Sequence, residues 1–224
     1  VRTRLIALAT ALATVVLFTG GCDPLDQPTN VAPPVAAPPG VDTPADNDPV
    51  GASTTLTSLA VVTWAPMTGY SRDRFRTWAA QGNGCDTRDV VLQRQGTGVT
   101  VGDSCKISQG SWFSAYDGRT VTDPQSLDID HMVPLANAWR TGAAGWTDDQ
   151  REQFANDLTR PQLLAVTLST NRSKGDQDPS QWKPPRQDYW CVYAQRWIAV
   201  KGYWKLGITA AEKSALTSML GTCG

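Results

Sequence analysis

The chain has 224 residues, with 20 Lys and Arg against 21 Asp and Glu, and a single His. One His excludes every site that needs two, such as a HExxH protease or a Cys2His2 finger. A near-zero net charge excludes a highly basic nucleic-acid coat and an acidic disordered tail, and the length suits one or two domains.

Residues 1–21 read as an export signal. Arg2 and Arg4 precede an apolar run from Leu5 to Phe18, and Gly20-Gly21 stand before Cys22. That arrangement predicts a lipoprotein cleaved and lipidated at Cys22, held to a membrane by its lipid. Plain secretion after cleavage elsewhere and an uncleaved anchor are the alternatives. Val1 reads as a non-ATG start, in keeping with a bacterial gene. Residues 22–53 are expected to be a Pro-rich disordered tether. Positions 23–53 hold 8 of the 15 Pro and five Asp, with no Lys, Arg or aromatic residue, too little apolar surface to offset chain entropy. Residues 54–224 carry all nine Trp, with 18 basic and 16 acidic side chains. They are expected to form one domain with its own core.

Within that domain, Ser71 to Ala80 predicts a short helix capped by Ser71. Asp89 to Leu92 and Gly98 to Val101 predict strand segments around a Gly turn. Leu127 to Val133 alternates with period two and predicts a strand ended by Pro134. Thr147 and Gln150 form a capping box for a helix to about Ala155, and Thr209 and Glu212 one for a last helix ending near Gly221. Leu163 to Leu168 predicts a second apolar strand, Asn171 to Asp176 a polar helix start or loop, and Asp188 to Lys205 a helix. The class is α+β. With Cys22 set aside, Cys85, Cys105, Cys191 and Cys223 are an even set for an oxidising compartment. The pairing local in sequence is Cys85–Cys105 with Cys191–Cys223. A four-Cys zinc site is the rival, though no CxxC spacing exists.

The one His stands in DIDHMVPL, beside Asp130, at the end of the expected strand. About forty residues on comes a polar cluster, Asn171-Arg172-Ser173-Lys174-Gly175-Asp176. Phosphodiester hydrolysis needs a base active near neutral pH, which imidazole supplies. It also needs a cation against the charge growing on the phosphorane. Asp130 and Asn171 offer the oxygen ligands that Mg²⁺ or Mn²⁺ prefers, and Arg172 and Lys174 offer cations for flanking phosphates. Asp128 either supports the site or is a plain strand-face acid. Asp176 reads as a local turn acceptor. Arg88 either reaches nucleic acid or pairs with an acid. Trp139, Trp146 and Trp182 read as core.

DIDHMVPLANAW, FAND, LLAV, TNRSKGD and the upstream CDTRDVVLQR and GSWFSAYDG resemble the secreted HNH-type endonucleases of bacteria, over about residues 70–191. The resemblance implies a ββα-metal (HNH) nuclease core, of the Asp–His variant, with added helices and small strands. It implies His131 as general base, with Asp130 and Asn171 as metal ligands. Gln162 falls where that family has an Asn bracing the loop, which leaves the bracing open; Asn156 is the alternative brace. The implied activity is metal-dependent cleavage of DNA, or RNA, with little sequence preference, and nothing demands a dimer. The competing expectations are a nuclease-derived surface lipoprotein that binds without cutting, and a cell-wall hydrolase.

Overall fold

The computed structural model describes residues 48–224. These lie in one compact unit; the signal segment, Cys22 and most of the expected tether lie outside the described residues. Helix α1 (Pro49–Ser58) opens on Asp48, whose side chain accepts from the Gly51 N–H. The Asp48 N–H donates to Gln195 Oε1 at 2.9 Å, and Leu56 and Leu59 are buried. The boundary expected at residue 54 therefore falls inside a packed helix.

Ser71 does cap a helical turn, but only the 3-10 turn Arg72–Phe75. Arg76 follows in the left-handed region, at φ 42°, so no helix reaches residue 80. Short strands β1 (Ala80–Gly82) and β2 (Cys85–Asp86) pair antiparallel. Helix α2 (Thr87–Gln95) takes the place of the strand expected at 89–92. A reciprocal capping box between Asp86 and Asp89 starts it, and Val91 and Leu92 are buried on one side. Local capping and packing outweigh the β preference of two adjacent Val. Strands β3 (Gly96–Val101), β4 (Ile107–Phe113) and β5 (Thr120–Val121) form an antiparallel sheet.

Strand β6 (Leu127–His131) pairs antiparallel with β7 (Leu163–Thr167), from Leu127 opposite Thr167 to His131 opposite Leu163. Between them lie α3 (Leu135–Thr141) and α4 (Asp148–Ala155), the latter opened by the expected Thr147–Gln150 capping box. Helix α5 (Leu168–Lys174) starts directly at the end of β7, capped by Thr167. Helices α6 (Trp190–Tyr203) and α7 (Ala210–Leu220) complete the fold, α7 with the expected Thr209–Glu212 box.

The β6–β7 pair separates two cores, as strand alternation requires. Leu164 and Val166 face a large cluster with Phe154, Trp139, Tyr116, Tyr193 and Trp197. Leu127, Ile129, Leu163 and Ala165 face a smaller one with Val91, Leu92 and Trp112. Disulfides join Cys85 to Cys105 and Cys191 to Cys223, the pairing local in sequence. The second ties the start of α6 to the end of α7. The same helices share a buried ion pair, in which Lys201 Nζ meets Glu212 Oε1 at 2.7 Å and also donates to the Gly207 carbonyl.

Candidate functional site

Strand periodicity decides which side of the β6–β7 pair each residue of DIDH serves. Asp128 and Asp130 face α5, whereas His131 lies on the other side and stacks on Trp78, with ring centroids 5.7 Å apart. His131 Nε2 lies 2.9 Å from the carbonyl oxygen of Ala155. A carbonyl can only accept, so Nε2 carries the hydrogen and Nδ1 keeps its lone pair. Ala155 ends α4, and its carbonyl belongs to the last turn, where no intrahelical donor is available. A helix end thus fixes the tautomer of the imidazole. Burial holds the His131 pKa down to about 3; the Ala155 carbonyl opposes this, and the charges of Arg72 and Lys174 add to it. Burial therefore favours the neutral ring.

A pocket of about 220 Å³ is bordered by His131, Asp130, Asn171, Arg172, Arg72 and Asp176. Arg172, expected to meet a flanking phosphate, borders this pocket. Nothing in the sequence singles out Arg72, which lies in the stretch expected to form one helix. The left-handed Arg76 turns the segment so that Arg72 borders the pocket and Trp78 covers His131. Asn156 secures that segment: its Oδ1 accepts from the Ala79 N–H and its Nδ2 donates to the Arg76 carbonyl.

Lys174 is a correction. It is fully buried, and its Nζ donates to both Asp130 oxygens at 2.8 and 2.9 Å and to the His131 carbonyl at 2.8 Å. It does not reach a phosphate from there. All three ammonium hydrogens are used inside the protein, and they tie α5 to the end of β6. Asp130 is corrected with it. Its carboxylate faces Lys174 and also accepts from the Tyr116 hydroxyl at 2.5 Å, so it is an ion-pair partner and not a carboxylate free for a metal. Burial raises the Asp130 carboxyl, and Lys174 opposes that. Burial raises the Tyr116 hydroxyl well above its ordinary value, with Asp130 adding to it, so Tyr116 remains a donor.

Asn171 borders the pocket, and its Nδ2 donates to Asp128 Oδ2 at 3.1 Å. Asp128 is thus the carboxylate joined to the Asn171 side chain. The Asn171 amide oxygen and the half-buried Asp128 carboxylate keep unused lone pairs, an all-oxygen set that suits a hard divalent cation. Among the described residues no three His, Cys, Asp or Glu side chains are grouped to hold a metal. A cation fitted to Asn171 and Asp128 would have few protein ligands and would complete its shell with water and substrate, as Mg²⁺ does.

Gln162 is fully buried, and its amide braces the loop. Oε1 accepts from the Val133 N–H at 3.1 Å and Nε2 donates to the Val133 carbonyl at 3.0 Å. Among the described residues Arg88 pairs with no acid and does not border the pocket: it donates to the carbonyls of Pro124 and Leu127, at the start of β6. Trp139 is buried in the large core, and Trp146 and Trp182 pack against it.

A family model described as GmrSD restriction endonucleases, C-terminal domain, matches residues 87–219. An "Uncharacterized secreted protein" of Arthroderma benhamiae is 52% identical over 190 residues, covering 85% of this chain and 91% of that one. No solved structure matches the chain. The family match covers more than half of the sequence, including β6, β7, α5 and the whole pocket except Arg72, and the chain belongs to the family of the C-terminal domain of GmrSD restriction endonucleases.

Proposed function

We propose that the protein is an exported endonuclease that hydrolyses DNA phosphodiester bonds with little sequence preference, through a ββα core of HNH type formed by β6, β7 and α5. The observation that carries this reading is the His131 imidazole, held by the Ala155 carbonyl so that Nδ1 is the basic atom, on the same pocket as Arg72 and Arg172. The family match supports nuclease chemistry, and the name of the Arthroderma relative supports export. Lipidation at Cys22 remains the proposed form of anchoring.

In this mechanism a phosphate lies against Arg72 and Arg172, which neutralise its oxygens. Nδ1 of His131 takes a proton from a water, and the hydroxide attacks phosphorus in line with the leaving 3′-oxygen. The Nε2–H bond to Ala155 stabilises the imidazolium that forms. Asn171 and Asp128 would hold Mg²⁺ or Mn²⁺, which when bound supplies positive charge against the phosphorane.

Nicking of supercoiled plasmid by the full chain, with Mg²⁺ or Mn²⁺, tests the reading. Cutting that EDTA stops and that His131→Ala lowers by about 10²–10⁴-fold is the expected result. No cutting by folded, disulfide-intact protein under any metal would favour a surface protein that binds nucleic acid without cleaving it. The Asp130–Lys174 ion pair gives that second reading its one specific support.

A further inference from the structure

A second cleft of about 220 Å³ adjoins the His131 pocket and shares Asp176 with it. Helix α3 links the two: its first residue, Leu135, borders the His131 pocket, and Ala136 and Asn137 border the cleft. Asn137 is 2% exposed, and neither its Oδ1 nor its Nδ2 has a hydrogen-bond partner. The indole N–H of Trp64, on the same cleft, is likewise buried without a partner. Buried polar atoms are paired in the great majority of cases, and each exception calls for a reason. Here two donors and one acceptor, unused among the described residues, belong to two side chains that line a single cleft and lie just beneath its surface.

We propose that this cleft is a nucleobase subsite, taking the base of a nucleotide whose phosphate lies against Arg72 and Arg172. The inference rests on the nuclease reading above and adds what that reading lacks, a place for the base next to the scissile bond. A side-chain amide offers one donor and one acceptor in a plane, the pattern that reads a base edge. The Trp64 indole, with the Arg140 guanidinium 4.5 Å over its ring, gives the cleft a flat wall. Enzymes that draw a nucleotide out of its stack hold the base between such walls and hydrogen-bond its edge. Gln177 and Gln181 border the same cleft, which is smaller than a pocket for a drug-sized ligand.

The test uses the full chain carrying His131→Ala, so that nothing is cleaved. Deoxynucleoside 5′-monophosphates and deoxyribose 5-phosphate are titrated by calorimetry. The expected result is binding of at least one nucleotide about tenfold or more tighter than the sugar phosphate. Asn137→Leu should remove that difference, keep the sugar-phosphate affinity and raise Tm, because it deletes two unpaired buried polar atoms. Trp64→Phe, which keeps a ring and loses the N–H, should weaken nucleotide binding several-fold. Equal binding of nucleotide and sugar phosphate, or a preference that survives Asn137→Leu, overturns the subsite and leaves a cleft filled by water. Plasmid nicking by the unmutated chain is scored separately. Nicking without base preference sinks only this inference, whereas base preference without nicking sinks the nuclease and keeps the subsite.

Discussion

In the free protein, burial disfavours the protonated form of His131. Its folded pKa of about 3 lies below the ordinary 6.5, so below about pH 6.5 the unfolded chain binds a proton that the native chain refuses. Stability is full above that pH and falls as pH drops from about 6.5 toward 3, by up to about 1.4 kcal/mol per pH unit. Urea unfolding from pH 7 to pH 4 should show this slope, and His131→Gln should flatten it. Cleavage at saturating substrate should show no acid limb from His131 between pH 5 and pH 8. The Asp130–Lys174 pair sets a different expectation. Removing one member leaves a buried charge alone, so Lys174→Met or Asp130→Asn should each cost about 3–5 kcal/mol. Asp130→Asn combined with Lys174→Met should cost less than the two single changes summed, a coupling that a double-mutant cycle reads directly.

At the scale of elements, the site depends on how β6 ends. The ladder closes at His131 opposite Leu163, and the next N–H, of Met132, donates to the Gln162 carbonyl at 2.7 Å. The Gln162 side chain then takes both backbone groups of Val133, so a single residue holds the turn into α3. Gln162→Leu should cost about 2 kcal/mol or more, because it leaves the Val133 N–H and carbonyl unpaired in the interior. It should lower cleavage as well, since it loosens the turn that follows His131. Gln162→Asn should not restore a better brace, because the present bonds of 3.0 and 3.1 Å span the longer arm. Chemical denaturation and nicking assays of the two variants check both expectations. Helix α5 needs no connection from β7: Thr167 is the last residue of one and the cap of the other. Gly175, at φ 52°, then turns the chain and leaves Asp176 between the two clefts.

For the whole molecule, two cores and two disulfides hold the β6–β7 pair in place. The Cys191–Cys223 bond closes α6 against α7, and replacing both Cys by Ser should cost about 3 kcal/mol, read as a lower urea midpoint. Charge acts locally on this scale. The net charge is −1, yet Arg72 and Arg172 border the same pocket, and a local cationic patch is enough to attract a phosphate backbone. Replacing either Arg by Ala should weaken duplex DNA binding by the His131→Ala protein. Each should also reduce the slope of log K against log salt by about 0.9, as one phosphate contact is lost.

The sequence by itself determined much of this protein. Period-two alternation marked β6, capping boxes marked α4 and α7, and local spacing gave both disulfides. These signals are local, made by side chains that are near neighbours in the chain. Asp130, His131, Asn171 and Arg172, the candidates in DIDH and NRSK, border one pocket. Tertiary structure decided the roles. Nothing in NRSKGD tells Arg172, which borders the pocket, from Lys174, which turns inward to Asp130, because that depends on which face of α5 meets β6. Nothing in YSRDRF shows Arg72 beside His131, because a left-handed Arg76 ends the turn, and Asn156, eighty residues later, holds the segment that follows. The Val-Val pair at 90–91 predicts a strand, but the Asp86–Asp89 box and the small core make it helical. Which donors and acceptors are already spent is a property of the packed interior, and that is what separates a free carboxylate from a paired one.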